Sequence, residues 1–325
     1  MMIEDNYNRI IDYFRISVTD RCNLRCLYCM PSGGIKLLSH DEILRYEEII
    51  RLSQIAYELG FRKFRITGGE PLCRKGISYL ISGIAKISSD IDLSITTNGV
   101  LLAKYADELK SAGLSRVNIS LDTLNKEKFK EITHFDLFDE VINSINRAVE
   151  IGFDPVKINV VVVRGINDDE ILDFVEFVKD KPLIVRFIEL MPFRKNNWNE
   201  KKFISSAEIR QIIEKHHSLS NIEDSFSNGP SVDYKINGYK GRIGFISPLT
   251  EKFCSSCNRL RLTADGYLLP CLISDKEIDI KTPMRSGAND KELMSIIQSA
   301  ILNKPKGHKL NKACTTMRGM SRIGG

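Results

Sequence analysis

No apolar run in this chain approaches the roughly 18 residues that a membrane-spanning helix needs. The stretch Val160–Val163, for example, is closed by Arg164. The N-terminus, Met1-Met2-Ile3-Glu4-Asp5, has early acids and no apolar h-region, so it does not read as a signal peptide. A soluble, cytoplasmic protein with no membrane partner is expected. Tryptophan occurs once, and no long basic tract is present. An RNA-binding module would need a basic surface with exposed aromatics, so no nucleic-acid partner is expected. The net charge is only +5, which suits a small anionic ligand. Internal repeats and low-complexity tracts are also missing.

The 325 residues are 42% hydrophobic, enough for a substantial core. Strand-like runs recur at Phe14–Val18, Phe64–Thr67, Leu93–Thr97, Val117–Leu121, Val156–Val163 and Ile184–Leu190. Near-continuous apolar runs of this kind suit parallel strands covered on both faces. Helical patterns separate them. Ser39-His40-Asp41-Glu42 has capping-box spacing, and Gly60 closes the helix that follows. Leu101–Ala112 ends at Gly113, and Leu137–Ile151 ends at Gly152. Asn167 can cap Asp168–Lys179, and Ser205–Glu208 is a second capping box. Six β-α units joined by right-handed crossovers form an open sheet or a full or partial barrel. These units fill residues 1–217. The polar stretch 218–231 reads as a linker, and 232–325 as a C-terminal segment. In it, Val232–Ile236 and Tyr239–Ile246 flank Asn237-Gly238 as a hairpin, and a short helix lies near Asp290–Leu302.

The unusual residues sit where strands end, the edge at which α/β folds bind ligands. Cys22, Cys26 and Cys29 follow strand one in a C-x3-C-x2-C pattern with no histidine nearby. Structural zinc takes four protein ligands, whereas a 4Fe–4S cube can take three thiolates and leave one iron open. Gly68-Gly69-Glu70-Pro71 follows strand two. Alone it reads as an ordinary turn. Ser120 ends strand four and Met191 ends strand six, positions that alone suggest a cap and core packing.

Eight cysteines in a long chain without a secretion signal read as metal ligands before disulfides. A second group, Cys254, Cys257 and Cys271, is C-x2-C-x13-C. A zinc ribbon completed by Cys314 is one reading, but its two-plus-two spacing is missing. A second three-thiolate cluster with an open iron is the better one. Arg259 and Arg261 point to one face if extended and could clamp phosphate oxygens. Arg15, Arg65, Lys157 and Arg186 lie in four of the strands. Internal salt bridges could explain them, yet so many converging cations suit a polyphosphate.

Taken together these motifs resemble the GTP 3′,8-cyclase (molybdenum cofactor biosynthesis protein A) family of the radical S-adenosylmethionine (SAM) superfamily. The resemblance rests on Arg15–Cys22, the C-x3-C-x2-C loop with Tyr28, Arg65–Pro71, Thr96–Gly99, Arg186–Met191, the C-terminal cysteine spacing and the terminal Gly324-Gly325. It implies an α/β fold, an incomplete (β/α)6 TIM-type barrel with a C-terminal α+β extension covering the open side. It implies two 4Fe–4S clusters, on Cys22, Cys26 and Cys29 and on Cys254, Cys257 and Cys271. Tyr28, Gly69, Glu70, Ser120 and Met191 would contact SAM. Arg15, Arg65, Thr96, Lys157, Arg186, Arg259, Leu260 and Arg261 would contact GTP, and Gly324 and Gly325 would enter the active site. A deoxyadenosyl radical would take the ribose 3′ hydrogen, and C3′ would attack guanine C8. An external one-electron donor, a homodimer and a downstream cyclic pyranopterin monophosphate synthase are implied partners. Two-cluster enzymes that modify peptides usually carry more C-terminal cysteines and lack the Arg259/Arg261 pair. Cys73 and Cys314 match no cluster position, and the loop Pro31–Leu38 is short.

Overall fold

A computed structural model describes residues 3–31, 33–192, 200–222, 229–274, 276–308 and 318–323. The six apolar runs form parallel strands β1 (Tyr13–Ser17), β2 (Lys63–Thr67), β3 (Asp92–Thr97), β4 (Arg116–Ser120), β5 (Val156–Val162) and β6 (Leu183–Glu189), each paired with the next. The intervening helices are α1 (Tyr46–Glu58), α2 (Ile77–Ala85), α3 (Leu102–Ser111), α4 (Lys126–Thr133), α5 (Phe138–Glu150), α6 (Ile171–Phe177) and α7 (Ser206–Glu214). Their apolar faces bury Leu52, Leu80, Leu109, Ile145 and Phe174 against the outer face of the sheet. Phe14 of β1 meets Phe61 and Phe64 at ring separations of 5.6 and 6.3 Å.

Six strands leave two unpaired edges, and exposed edges invite pairing. The C-terminal part of the chain supplies the partners. Strands β7 (Leu219–Asn221), β8 (Val232–Ile236) and β9 (Arg242–Ile246) extend one edge, with β9 parallel to β6. Strands β10 (Arg259–Leu262), β11 (Tyr267–Leu269) and β12 (Ile278–Asp279) extend the other, with β10 parallel to β1. The result is one open twelve-stranded sheet, ordered β12-β11-β10-β1-β2-β3-β4-β5-β6-β9-β8-β7. Helices α8 (Lys281–Arg285), α9 (Asp290–Leu302) and α10 (Met320–Ile323) follow. No helix of the described residues is long and apolar enough to cross a membrane.

Some local expectations differ. Ser39 does bond Glu42 through its backbone N–H and hydroxyl (2.8 and 2.9 Å), but only a turn forms there. The Leu44 N–H is committed to the Ala264 carbonyl, so α1 starts after it, with Glu48 accepting from the Arg45 N–H. Asn167 does not cap a helix. Its amide donates to the Asp122 and Val161 carbonyls and accepts from the Val163 N–H, and a 3-10 turn precedes α6. Asn237-Gly238 does turn, with Gly238 at φ +81°, but β8–β9 pairing begins at Lys235↔Arg242. The intervening Lys240 and Gly241 N–H groups are taken by the Lys179 and Val178 carbonyls. Within the stretch expected as a linker, Leu219–Asn221 is strand β7.

Candidate active site

Side chains alternate along a strand, so register decides which ones share a row. Arg261, Arg15, Arg65, Ser94 and Arg116 occupy one row across β10, β1, β2, β3 and β4. Thr96, Asn118 and Lys157 form the next, and Ser120, Asn159, Arg186 and Gly244 a higher one. Most members of these rows line a chamber of about 320 Å³, while Arg261, Ser94, Asn118 and Gly244 are not on its wall. Arg15, Arg65, Arg116, Lys157, Arg186 and Arg259 all line it.

The chamber is electropositive, and its cations are desolvated by burial. Burial pushes the Lys157 ammonium down to about 6, with Arg186, Arg116 and Arg65 adding repulsion. Burial, then Arg259, brings Arg261 to about 10. Arg15, Arg65 and Arg186 are lowered by the same desolvation. Arg116 pairs with Asp92, and Arg186 lies 3.5 Å from Asp233. The Tyr13 hydroxyl, Thr96 Oγ1, Asn159 Oδ1 and Arg186 Nε are buried with no hydrogen-bond partner among the described residues. Buried polar atoms of this kind are normally satisfied, so a polyanionic ligand with several hydrogen-bonding groups fits.

The first cysteine loop lies across the strand ends, with Cys22, Cys26 and Cys29 on the chamber wall. It is strapped to α4 by Arg25 and Leu27 N–H groups bonding the Thr133 and Ile132 carbonyls, both 3.0 Å. Asn98 Nδ2 lies 3.7 Å from Cys22 Sγ. Burial raises the Cys22 and Cys26 thiols, and at Cys26 the neighbouring Cys29 and Asp122 add to it. Such sulfurs become thiolates only beside a cationic metal core, which fits an iron–sulfur cluster.

The Gly68-Gly69-Glu70 turn seats against this loop. Gly69 and Glu70 N–H groups donate to the Thr19 and Arg21 carbonyls at 2.7 Å. A Cβ on Gly69 would stand 2.4 Å from the Arg21 carbonyl oxygen, so the close approach requires glycine. Glu70 itself is fully buried and is not on the chamber wall. Its carboxylate accepts from the Leu72 N–H, Thr97 hydroxyl and Asn98 N–H, and burial raises its pKa to about 7. Tyr28, Ser120 and Met191 do line the chamber, and the Tyr28 hydroxyl donates to Asp122. Asp122 also accepts from the Val161 N–H at 2.8 Å, and burial raises it to about 6.

The second cysteine set is not itself on the chamber wall, but its neighbours are. Phe253 and Leu272, sequence neighbours of Cys254 and Cys271, line the chamber with Arg259. Burial works to raise the Cys257 thiol, but Arg259 and Lys304 outweigh it and bring it to about 6. Arg259 Nη2 lies 3.5 Å from Cys257 Sγ. Leu260 points away, into the hydrophobic core. Among the described residues no three His, Cys, Asp or Glu side chains are grouped as ligands of one ion. The three sulfurs of a cube's ligands stand wider apart than ligands of a single zinc, whose bonds are about 2.3 Å.

Near the C-terminus, Met320 lines the chamber and Ile323 is buried. Arg318 pairs with Asp265 and Glu277, and Arg322 donates to the Lys36 carbonyl. Gly324, Gly325 and Cys314 lie outside the described residues. Sequence reasoning missed Arg116, Asn159 and Asp122, which line the chamber. Arg116 shares strand parity with Asn118 and Ser120, a signal that was available.

A family model described as Radical SAM superfamily matches residues 16–178, and one described as Molybdenum Cofactor Synthesis C matches residues 183–310. The chain is 50% identical over 324 residues to GTP 3′,8-cyclase of Thermodesulfovibrio yellowstonii, covering 99% of this chain and 100% of that protein. It is 50% identical over 323 residues to GTP 3′,8-cyclase of Desulforamulus reducens, covering 99% of each. Streptococcus suis SuiB bound to S-adenosylmethionine shares the fold at TM-score 0.61 and 17% identity, covering 97% of this chain and 78% of that one.

Proposed function

The chain belongs to the GTP 3′,8-cyclase family of radical SAM enzymes, and from that premise we propose how its residues divide the cyclisation of GTP in molybdenum cofactor synthesis. Cys22, Cys26 and Cys29 hold one 4Fe–4S cluster, and Tyr28, Gly69, Ser120 and Met191 contact SAM. Glu70 acts indirectly, by fixing the Thr97-Asn98 strand end beneath the first loop. Cys254, Cys257 and Cys271 hold a second 4Fe–4S cluster, beside which the guanine lies. Arg15, Arg65, Arg116, Lys157, Arg186 and Arg259, with Thr96, receive the triphosphate and ribose, and Arg261, paired beside Arg15 across β1 and β10, adds its charge.

When bound, the first cluster and SAM would supply the radical that takes the ribose 3′ hydrogen; C3′ would then bond to guanine C8, and one electron and one proton would complete the dihydroguanosine product. The chain's own part is placement. Cations on several strands hold the nucleotide by its charge. The enclosed walls bring the reacting carbons together and exclude water that would dissipate the radical. The observation that carries this reading is one chamber bounded by the first cysteine set, six cations and the neighbours of the second set.

The family reading also supports an external one-electron donor, a homodimer, a cytoplasmic location, and passage of product to cyclic pyranopterin monophosphate synthase. Residues 1–217 form the catalytic barrel in this scheme, 218–231 a connection that carries strand β7, and 232–325 the second-cluster part with its Gly324-Gly325 tail. The test is anaerobic incubation of reconstituted protein with reductant, SAM and GTP, followed by mass spectrometry for the cyclised nucleotide. Cys22→Ala should abolish SAM cleavage. Cys254→Ala should keep uncoupled cleavage and lose GTP conversion. Unchanged conversion in Cys254→Ala would refute the second-cluster role.

A further inference from the structure

Lys304 follows α9 and is only 4% exposed. Its ammonium donates to two backbone carbonyls, Arg259 and Pro270, both at 2.8 Å. These carbonyls lie within the second cysteine set, one two residues after Cys257 and the other just before Cys271. Carbonyls solvate an ammonium but do not balance its charge. Burial works against its charge and lowers its pKa, Cys257 and Cys271 favour the charge, and Arg259 and Arg9 oppose it.

A second cation holds this segment in place. Arg9, 6% exposed and paired with Asp5, donates to the carbonyls of Cys254 (2.7 Å), Pro305 (2.7 Å) and Lys306 (3.2 Å). The chain just beyond Lys304 is thus tied to the Cys254 turn. A Cβ on Gly307 would lie 3.5 Å from Cys254 Cβ, so residues 304–307 pass directly against that cysteine. Neither Lys304 nor Arg9 is on the chamber wall, so neither is positioned as a substrate ligand.

We propose that Lys304 is a positioning residue for the second iron–sulfur site, a strut that holds Cys257 and Cys271 at cluster spacing and a buried positive charge that offsets their thiolates. This rests on the reading that Cys254, Cys257 and Cys271 hold a cluster. An oxidised 4Fe–4S core with three thiolates is net anionic, and one-electron reduction adds a further negative charge. A fixed cation beside it favours the reduced form.

The test uses full-length, anaerobically reconstituted wild-type protein, K304M, K304Q and K304R. Iron is counted per chain, and both clusters are titrated by electron paramagnetic resonance, with SAM marking the first. Wild type should hold about eight irons, four per cube. K304M should keep SAM cleavage and the first cluster's potential. Its second cluster should be lost, leaving about four irons, or its ratio of reduced to oxidised form at fixed potential should fall about tenfold. K304R should restore both. Should K304M not fold, K304Q carries the same expectation, since it also lacks the charge. Full iron with an unmoved second potential in a folded neutral variant would overturn the proposal, as would K304R behaving like the neutral variants. A wild-type count near four irons, unchanged by Cys254→Ala, would instead overturn the second cluster itself.

Discussion

GTP binding should draw a proton onto Lys157. In the ligand-free chamber burial, with Arg186, Arg116 and Arg65 beside it, holds this lysine at about 6. Near pH 7.5 only about 3% of it then carries a proton. A triphosphate arriving among those arginines reverses the local field and moves the lysine back toward its ordinary value of 10.5. Uptake near pH 7.5 should therefore approach about 0.9 proton per site. The bound state holds the extra proton, so affinity is greatest below about pH 6 and falls as pH rises. The limit is about tenfold per unit, or about 1.4 kcal/mol, until the bound-state pKa is reached. Isothermal titration calorimetry in buffers of different ionisation enthalpy measures the uptake directly. The same series on K157M subtracts any proton carried by the nucleotide. Equal uptake in wild type and K157M would refute the reasoning. Stability gives an independent reading. Lys157 is 5% exposed, and its pKa is about 10.5 unfolded but about 6 folded, so between these values the unfolded chain holds the extra proton. Ligand-free stability should rise with pH across that window, and K157M should be stabilising near pH 7.5 by up to about 4 kcal/mol.

Three further outcomes are expected. Gly69→Ala should abolish 5′-deoxyadenosine formation while leaving GTP binding in place, because its Cβ meets the Arg21 carbonyl at 2.4 Å; normal cleavage would show that the turn can shift. Arg259→Ala should weaken GTP binding at least about tenfold, the scale of a charge-assisted hydrogen bond, with SAM affinity unchanged; equal losses would assign Arg259 to structure. Arg116→Met should weaken GTP binding and, by leaving the half-buried Asp92 unpaired, cost about 1 kcal/mol of stability in urea. Adding Asp92→Asn should recover the stability and not the binding; recovery of both would remove Arg116 from the substrate site.

Where sequence reasoning worked, the signal was local. The six parallel strands fall within one or two residues of their apolar runs, because burial on both faces demands such runs. The first cysteine loop is compact enough that spacing alone suggests a cube. Helix starts were harder. Ser39–Glu42 has the right spacing, yet Leu44 is held by Ala264, more than 200 positions away, which no local pattern reveals. Glu70 and Leu260 sit within motifs but face the interior. A motif records which residues recur at a place, and the backbone turn decides which of them look into the chamber.

The sequence by itself determined the α/β class and the strand order along the chain, and it set the six candidate sulfur ligands apart as two groups, since periodicity and short-range spacing are carried by adjacent residues. Tertiary structure alone decided that the C-terminal strands add to both edges of the barrel, bringing Phe253, Arg259 and Leu272, close neighbours of the second cysteine set, to the chamber that the first set lines. It likewise gathered Arg261, Arg15, Arg65 and Arg116 into one row and set Lys304 between the two halves of the second cysteine set. Those placements depend on strand register and on contacts between distant segments, and sequence spacing holds no information about either.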